Sequence, residues 1–212
     1  MSNGNAPFGF RQARHVTGTG HRMNLYTIAS TLAENIAIGD LVKSDGSGGI
    51  QKAAAGDAIA GTFLGYSLES EGISGANYGG SPQGTIPFFK AWVSGTVVPA
   101  GMVARALVAD DPFETFEVQT SNTIAAADIG SLCNLVDAAP DMALGVSRQT
   151  VGAPGGAASQ FRIERILSKP TRIADANNNT SGYDLSGPGQ YAIVEVKPMK
   201  HERGGAAMGV AV

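Results

Sequence analysis

The chain has 212 residues, of which 43% are hydrophobic and 16% charged, and its formal net charge is −3. The apolar share is enough for a packed core, while the charged share lies below the roughly 25% of an average domain. A slightly acidic chain with no block of like charges offers a polyanion nothing to hold, which argues against nucleic acid as a partner. No apolar run approaches the roughly 18 residues that span a bilayer, which argues against a membrane.

Glycine contributes 29 residues, scattered in short turn-like pairs rather than at a fixed period. Only glycine reaches positive φ without steric cost, so this spread predicts many short strands joined by tight turns. The opening residues MSNGNAPFGF lack a basic stretch followed by an apolar one. No secretory signal is therefore expected, and a cytoplasmic place of assembly is.

In chain order, residues 1–21 are polar, glycine-rich and aperiodic, with Phe8 and Phe10 as isolated apolar points. They read as an extended N-terminal arm rather than a packed element. Two fates are open: disorder, or docking on a partner with Phe8 and Phe10 as anchors and Arg11 and Arg14 as polar contacts. Residues 22–197 read as the β domain, as one unit or as two lobes. Strands are expected around Arg22–Ala29, at Ile36 and Ile38, and at Leu41 and Val42. The run Ser44-Asp45-Gly46-Ser47-Gly48-Gly49 before Ile50 has the signature of a hairpin loop. Another apolar stretch covers Ile59–Leu68. Residues 69–87 hold five Gly and two Pro and read as a long exposed loop.

Phe88–Val93 predicts a strong strand in which Trp92, the only tryptophan, is a core or interface anchor. Val103–Val108 follows, and Asp110-Asp111-Pro112 is a turn leading to an alternating strand at Thr115–Gln119. Ile124–Asp128 suits one helical turn. Leu132–Val136, Val146–Val151, Phe161–Leu167 and Tyr191–Val196 read as strands, with Glu195 interrupting the last. Residues 169–190 read as loop and 198–212 as a flexible C-terminal tail. Ten to twelve strands with turn signals every 8–12 residues predict an all-β fold, a Greek-key or jelly-roll-like sandwich or barrel with long loops.

Residues able to carry chemistry are sparse. His15, His21 and His201 fall in the presumed arm and tail, at a spacing that suits no helical metal face. The pairs Asp110/Asp111 and Asp137/Asp141 read as turn formers. A calcium loop on Asp40, Asp45 and Ser47 lacks the spacing such loops need. Cys133, with no histidine near it in sequence, reads as a small core hydrophobe. No phosphate loop, dinucleotide fingerprint or nucleophile elbow occurs; Gly72-Ile73-Ser74-Gly75 falls one spacer short of the elbow. Neither a catalytic site, a metal nor a cofactor is expected.

Three segments resemble, in the same order, tailed-phage virion proteins known as capsid cement or head-decoration proteins. They are FGFRQARHVTG, ALVADDPFETFEVQ and QFRIERILSKP, spanning residue 8 to about 170. The resemblance implies a β-rich homo-oligomer, trimer or dimer, on the outer surface of the capsid, bridging neighbouring major capsid proteins against internal pressure. The loop at 69–87 and the tail after 198 fall outside the shared pattern. Phe8, Phe10, Arg11, Arg14 and Trp92 are the expected capsid or protomer contacts. The alternatives are another virion part (head fibre, neck or tail) and a carbohydrate-binding β-sandwich, for which Tyr78 and Trp92 are the candidate aromatics.

Overall fold

The computed structural model describes residues 5–18, 20–70, 88–155, 159–167, 170–172, 183–185 and 189–203. The fold is all-β. In chain order the strands are β1 (Arg11–His15), β2 (Met23–Ile28), β3 (Ile36–Ala37), β4 (Leu41–Ser44), β5 (Ile50–Lys52), β6 (Gly61–Ser70), β7 (Phe88–Phe89), β8 (Ala91–Trp92), β9 (Met102–Ala109) and β10 (Glu114–Gln119). They continue with β11 (Leu132–Cys133), β12 (Leu135–Val136), β13 (Thr150–Val151), β14 (Phe161–Ile166), β15 (Pro170–Arg172), β16 (Tyr183–Leu185) and β17 (Ile193–Pro198). The expected helical turn is a 3-10 turn at Ala126–Asp128.

Two large antiparallel sheets organise these strands. One is five-stranded, in the order β1-β10-β17-β14-β11. The other is six-stranded: β2-β9-β6-β4-β5, with β7 also pairing β6. Three two-stranded pairs, β3-β8, β12-β13 and β15-β16, complete the pairing. A parallel bridge between Thr27 and Gly49 brings β2 to the end of the β4–β5 hairpin, so the six-stranded sheet is strongly curled.

Strand alternation builds the cores. Phe116 and Val118, Val194 and Val196, and Phe161 and Ile163 are alternate residues of neighbouring strands, and all six are fully buried in one cluster. Successive side chains of a strand point to opposite faces, so this pattern aims one face of the five-stranded sheet inward. A second cluster gathers Ile28, Val42, Ile50, Phe63, Tyr66, Trp92, Ala104, Ala106 and Val108. Leu41 belongs to the first cluster and Val42 to the second. Strand β4 thus lies between the two cores, with consecutive residues facing opposite ways.

The N-terminal expectation needs correction. Residues 11–15 are a strand of the five-stranded sheet, paired with β10, and not a free arm. Phe10 is 1% exposed, stacks on Phe161 with ring centroids 5.2 Å apart and meets Phe116 edge-on at 6.2 Å. Gly9 makes this insertion feasible. Its φ is +74°, and a Cβ there would lie 2.4 Å from the Ser147 Cβ and 2.6 Å from the Gly39 carbonyl oxygen. The backbone therefore crosses close to Gly39, whose carbonyl accepts the Phe10 N–H at 2.9 Å. The sequence hid this because one apolar residue in a polar stretch has no period, and the rings that receive Phe10, Phe116 and Phe161, are more than a hundred positions away.

The tail expectation needs the same correction over its first residues. The Ile59 N–H bonds the Lys200 carbonyl, the Glu202 N–H bonds the Ile59 carbonyl, and the Ser44 N–H bonds the Glu202 carboxylate at 2.7 Å. His201 is buried. Residues 199–203 thus stitch the end of β17 to the other sheet, and 204–212 lie outside the described residues, as does 71–87 of the expected long loop. In the expected loop 169–190, β15 and β16 form a hairpin.

The expected strand at 88–93 is two short ones. Phe88–Phe89 pairs with β6 and Ala91–Trp92 with β3. The β4–β5 hairpin is as expected, its loop closed by the Asp45 carboxylate, which accepts the Ser47 and Gly49 N–H groups. Cys133 is fully buried, and burial pushes its thiol up to about 12, as suits a core residue.

Where the strap around Gly9 and Gly39 crosses, Asp40 is buried. Its carboxylate accepts the Ser147 hydroxyl at 2.6 Å and the Ala37 N–H at 2.8 Å. Burial outweighs these bonds and pushes the group up to about 6. A carboxyl raised in the fold above its unfolded value near 3.9 favours folding least when ionised. Its penalty therefore grows as pH rises from about 4 to about 6, and is on the order of 3 kcal/mol above that. Urea unfolding at a series of pH values is expected to show a gain in stability between pH 7 and 5 that Asp40→Asn flattens. For the core, Phe10→Ala is expected to lose about 3–5 kcal/mol in the same unfolding measurement, whereas a free arm would lose nothing.

Candidate interaction surface

The five residues expected to meet a partner divide between surface and interior. Phe10 and Trp92 are corrections: both are buried in the chain's own cores and offer no surface. Trp92 packs edge-on against Tyr66 at 5.4 Å, and its indole N–H points to the Leu32 carbonyl at 3.4 Å. Phe8 is half-buried beneath the Arg11 guanidinium, which sits 4.2 Å from the ring centroid. Arg11 and Arg14 are exposed.

These two arginines stand on a charged sheet face. Residues 116 and 118 of β10 point into the core, so Thr115 and Glu117 point away from it, as do Glu195 and Lys197 on β17 and Arg162 on β14. Arg11 is opposite Glu117, Glu117 opposite Glu195, and Glu195 opposite Arg165. One charged row thus crosses four strands, with two carboxylates at its centre and an arginine at each end. Beside it, Arg162 donates through Nε and Nη2 to Glu164 Oε1 at 2.9 and 2.7 Å.

Glu195 is the centre of the face. Its side chain is 0% exposed, and it accepts Arg14 Nε at 2.5 Å, the Thr115 hydroxyl at 2.8 Å and Arg165 Nε. Burial pulls this carboxyl upward, but the bonds from Arg14, Thr115 and Arg165 outweigh it and hold the group below the usual carboxylate range. The arrangement spans β1, β10, β14 and β17. Removing its cationic partners would leave the buried carboxylate uncompensated, at a cost of about 3–5 kcal/mol.

A second polar cluster lies at the turn after β9. The turn forms as expected, with the Asp111 side chain accepting the Phe113 N–H and its carbonyl accepting the Glu114 N–H. Asp110 is fully buried and accepts Asn24 Nδ2 at 2.8 Å, the Tyr26 hydroxyl at 2.6 Å and Arg203 Nη2 at 3.1 Å. His15 reaches Asp111 at 3.1 Å and His21 reaches Glu114 at 2.6 Å. The turn is where β1, β2 and the C-terminal segment are fastened together. His15 and His201, expected on an arm and a tail, are buried. Among the described residues no group of three or more His, Cys, Asp or Glu is placed to hold a metal ion.

Arg162, Glu164, Arg165 and Glu195 were not singled out by sequence. The signal was present in Glu195, an acidic residue inside an otherwise apolar run, and in the alternation of FRIERI. The segments FGFRQARHVTG, ALVADDPFETFEVQ and QFRIERILSKP supply β1, β10 and β14, which share one sheet with β17 between the last two, and the second segment also supplies the end of β9 in the other sheet. No family model, curated protein or solved structure matches the chain. Arg14→Gln with Arg165→Gln, which leaves the buried Glu195 carboxylate without a cationic partner, is expected to lower the unfolding free energy by about 3–5 kcal/mol in a denaturant titration. A change under about 1 kcal/mol, the size of an exposed pair, would show that Glu195 is not a structural centre.

Proposed function

We propose that the protein is a tailed-phage capsid cement protein, a homo-oligomer that adheres to the outside of the shell and bridges neighbouring major capsid proteins. The observation that carries this is the convergence of the three resembling segments on one sheet. Segments about a hundred residues apart in the chain lie together, and the arginines of two of them meet on one carboxylate. A face shared by segments so far apart in the chain supports the reading of a common docking surface.

The surface suits adhesion. The charged face is flanked by Phe8 under Arg11, an aromatic anchor at its edge. On the six-stranded sheet, Leu25 is opposite Leu107 and Leu107 opposite Gly65, over which the Phe88 ring lies. Met23, Leu25 and Phe88 are each about half exposed there, an apolar strip that suits a protomer contact. The carbohydrate-binding alternative loses Trp92, which is buried; Tyr78 lies outside the described residues. A head-fibre, neck or tail role would use the same surfaces on a different assembly.

The decisive experiment mixes the purified protein with expanded capsids lacking it and images the particles. Added density on the outer shell is expected, and bare shells beside free protein would overturn the reading. Deleting residues 1–21 is a poor test of the contact, because it removes Phe10 and β1 from the fold. Phe8→Ala with Arg11→Ala is the cleaner variant: occupancy on shells is expected to fall while the unfolding free energy stays within about 1 kcal/mol of the parent.

A further inference from the structure

Two guanidiniums held by one buried carboxylate form an unusual surface group. Arg14 and Arg165 each bind Glu195 through Nε, and each side chain remains 55% exposed. Neither makes a further hydrogen bond from its Nη atoms to another described residue. Their planes are therefore already oriented by Glu195, while no described residue holds their Nη donors. Ordering two long side chains is a large part of what association costs, and here that ordering is part of the fold. The surrounding face carries Arg11, Arg14, Arg162, Arg165 and Lys197 against Glu117, Glu164 and Glu195. It is a net positive surface on a chain whose total charge is −3.

We propose that Arg14 and Arg165, fixed by Glu195, are a carboxylate clamp that docks an acidic protein surface. On the cement reading, on which this rests, that surface belongs to the major capsid protein. The charge excess selects an anion. The planar, weakly hydrated guanidinium favours two-point recognition of a carboxylate, which lysine at the same place does not reproduce. Glu195 is a positioning residue: it aims the two arginines and does not meet the partner.

The test uses the full chain and two probes, poly-L-glutamate and a DNA duplex, titrated calorimetrically at low salt. The wild-type protein is expected to bind poly-L-glutamate, with affinity falling as salt rises. Arg14→Lys with Arg165→Lys keeps the charge and an ion pair to Glu195. It is expected to weaken binding about tenfold. Arg14→Gln with Arg165→Gln is expected to abolish binding; should that variant fold poorly, the lysine pair still decides. Arg148→Gln, an exposed arginine paired with Asp141 away from this face, is expected to bind as wild type does. Equal affinity in the lysine variant, an equal loss in Arg148→Gln, or duplex DNA bound as tightly as poly-L-glutamate would each overturn the clamp. The shell assay separates the two proposals. Wild-type protein that leaves shells bare but binds poly-L-glutamate through these arginines ends the cement reading and keeps the clamp. Shells decorated equally by wild-type and lysine-variant protein end the clamp and keep the cement reading.

Discussion

Alternation along β10, β14 and β17 is the constraint from which most of this structure follows. With Phe116, Val118, Phe161, Ile163, Val194 and Val196 on one face, the sheet has one side that must be covered. Each such side chain contributes about 1.5–3 kcal/mol when removed from water. Phe10 on the strap before β1, Leu41 on β4, Ile59, Ile124, Leu135 and Val151 supply that cover from distant parts of the chain. The same alternation sends Thr115, Glu117, Glu195, Lys197 and Arg162 to the other side, where a charged face is the only outcome.

Glu195 shows how the polar side is made stable. A carboxylate with no exposure is tolerated only when its oxygens are bonded. Two arginines and a threonine from three neighbouring strands meet that need. In doing so they tie the edge strand β1 to β14 across two intervening strands. Asp110 does comparable work at the turn after β9, where β2 and the C-terminal segment converge. Asp40, held by one hydroxyl and one N–H, is raised to about 6, whereas Glu195, held by two arginines and a hydroxyl, is lowered. The number of cationic partners separates these outcomes.

Strand β4 links the two halves by the same arithmetic of alternation. Leu41 faces one core and Val42 the other, while Asp40 ahead of them meets Ser147, far along the chain. The backbone strap at Gly9 passes over this point. Residues 199–203 fasten β17 to Ile59 and Ser44 beside it. Several strands are only two residues long, and cross-connections between the sheets hold them beside the longer β6–β9 ladder.

The sequence by itself determined the all-β class, the hairpin at Ser44–Gly49, the turn at Asp110–Pro112, the core role of Cys133 and most of the longer strands. Those are local properties: period-two alternation, glycine at positive φ, and aspartate bonding its own turn. It also placed the three distinctive segments in order. What it did not determine were contacts whose two halves are far apart in the chain. Phe10 reads as an arm residue until Phe116 and Phe161 are beside it, and Trp92 reads equally as surface or core. Glu195 reads as an interruption until Arg14 and Arg165 arrive on either side. Tertiary structure decided these because burial and ion pairing depend on the neighbours that sheet order brings together, and sheet order is not written in any one strand.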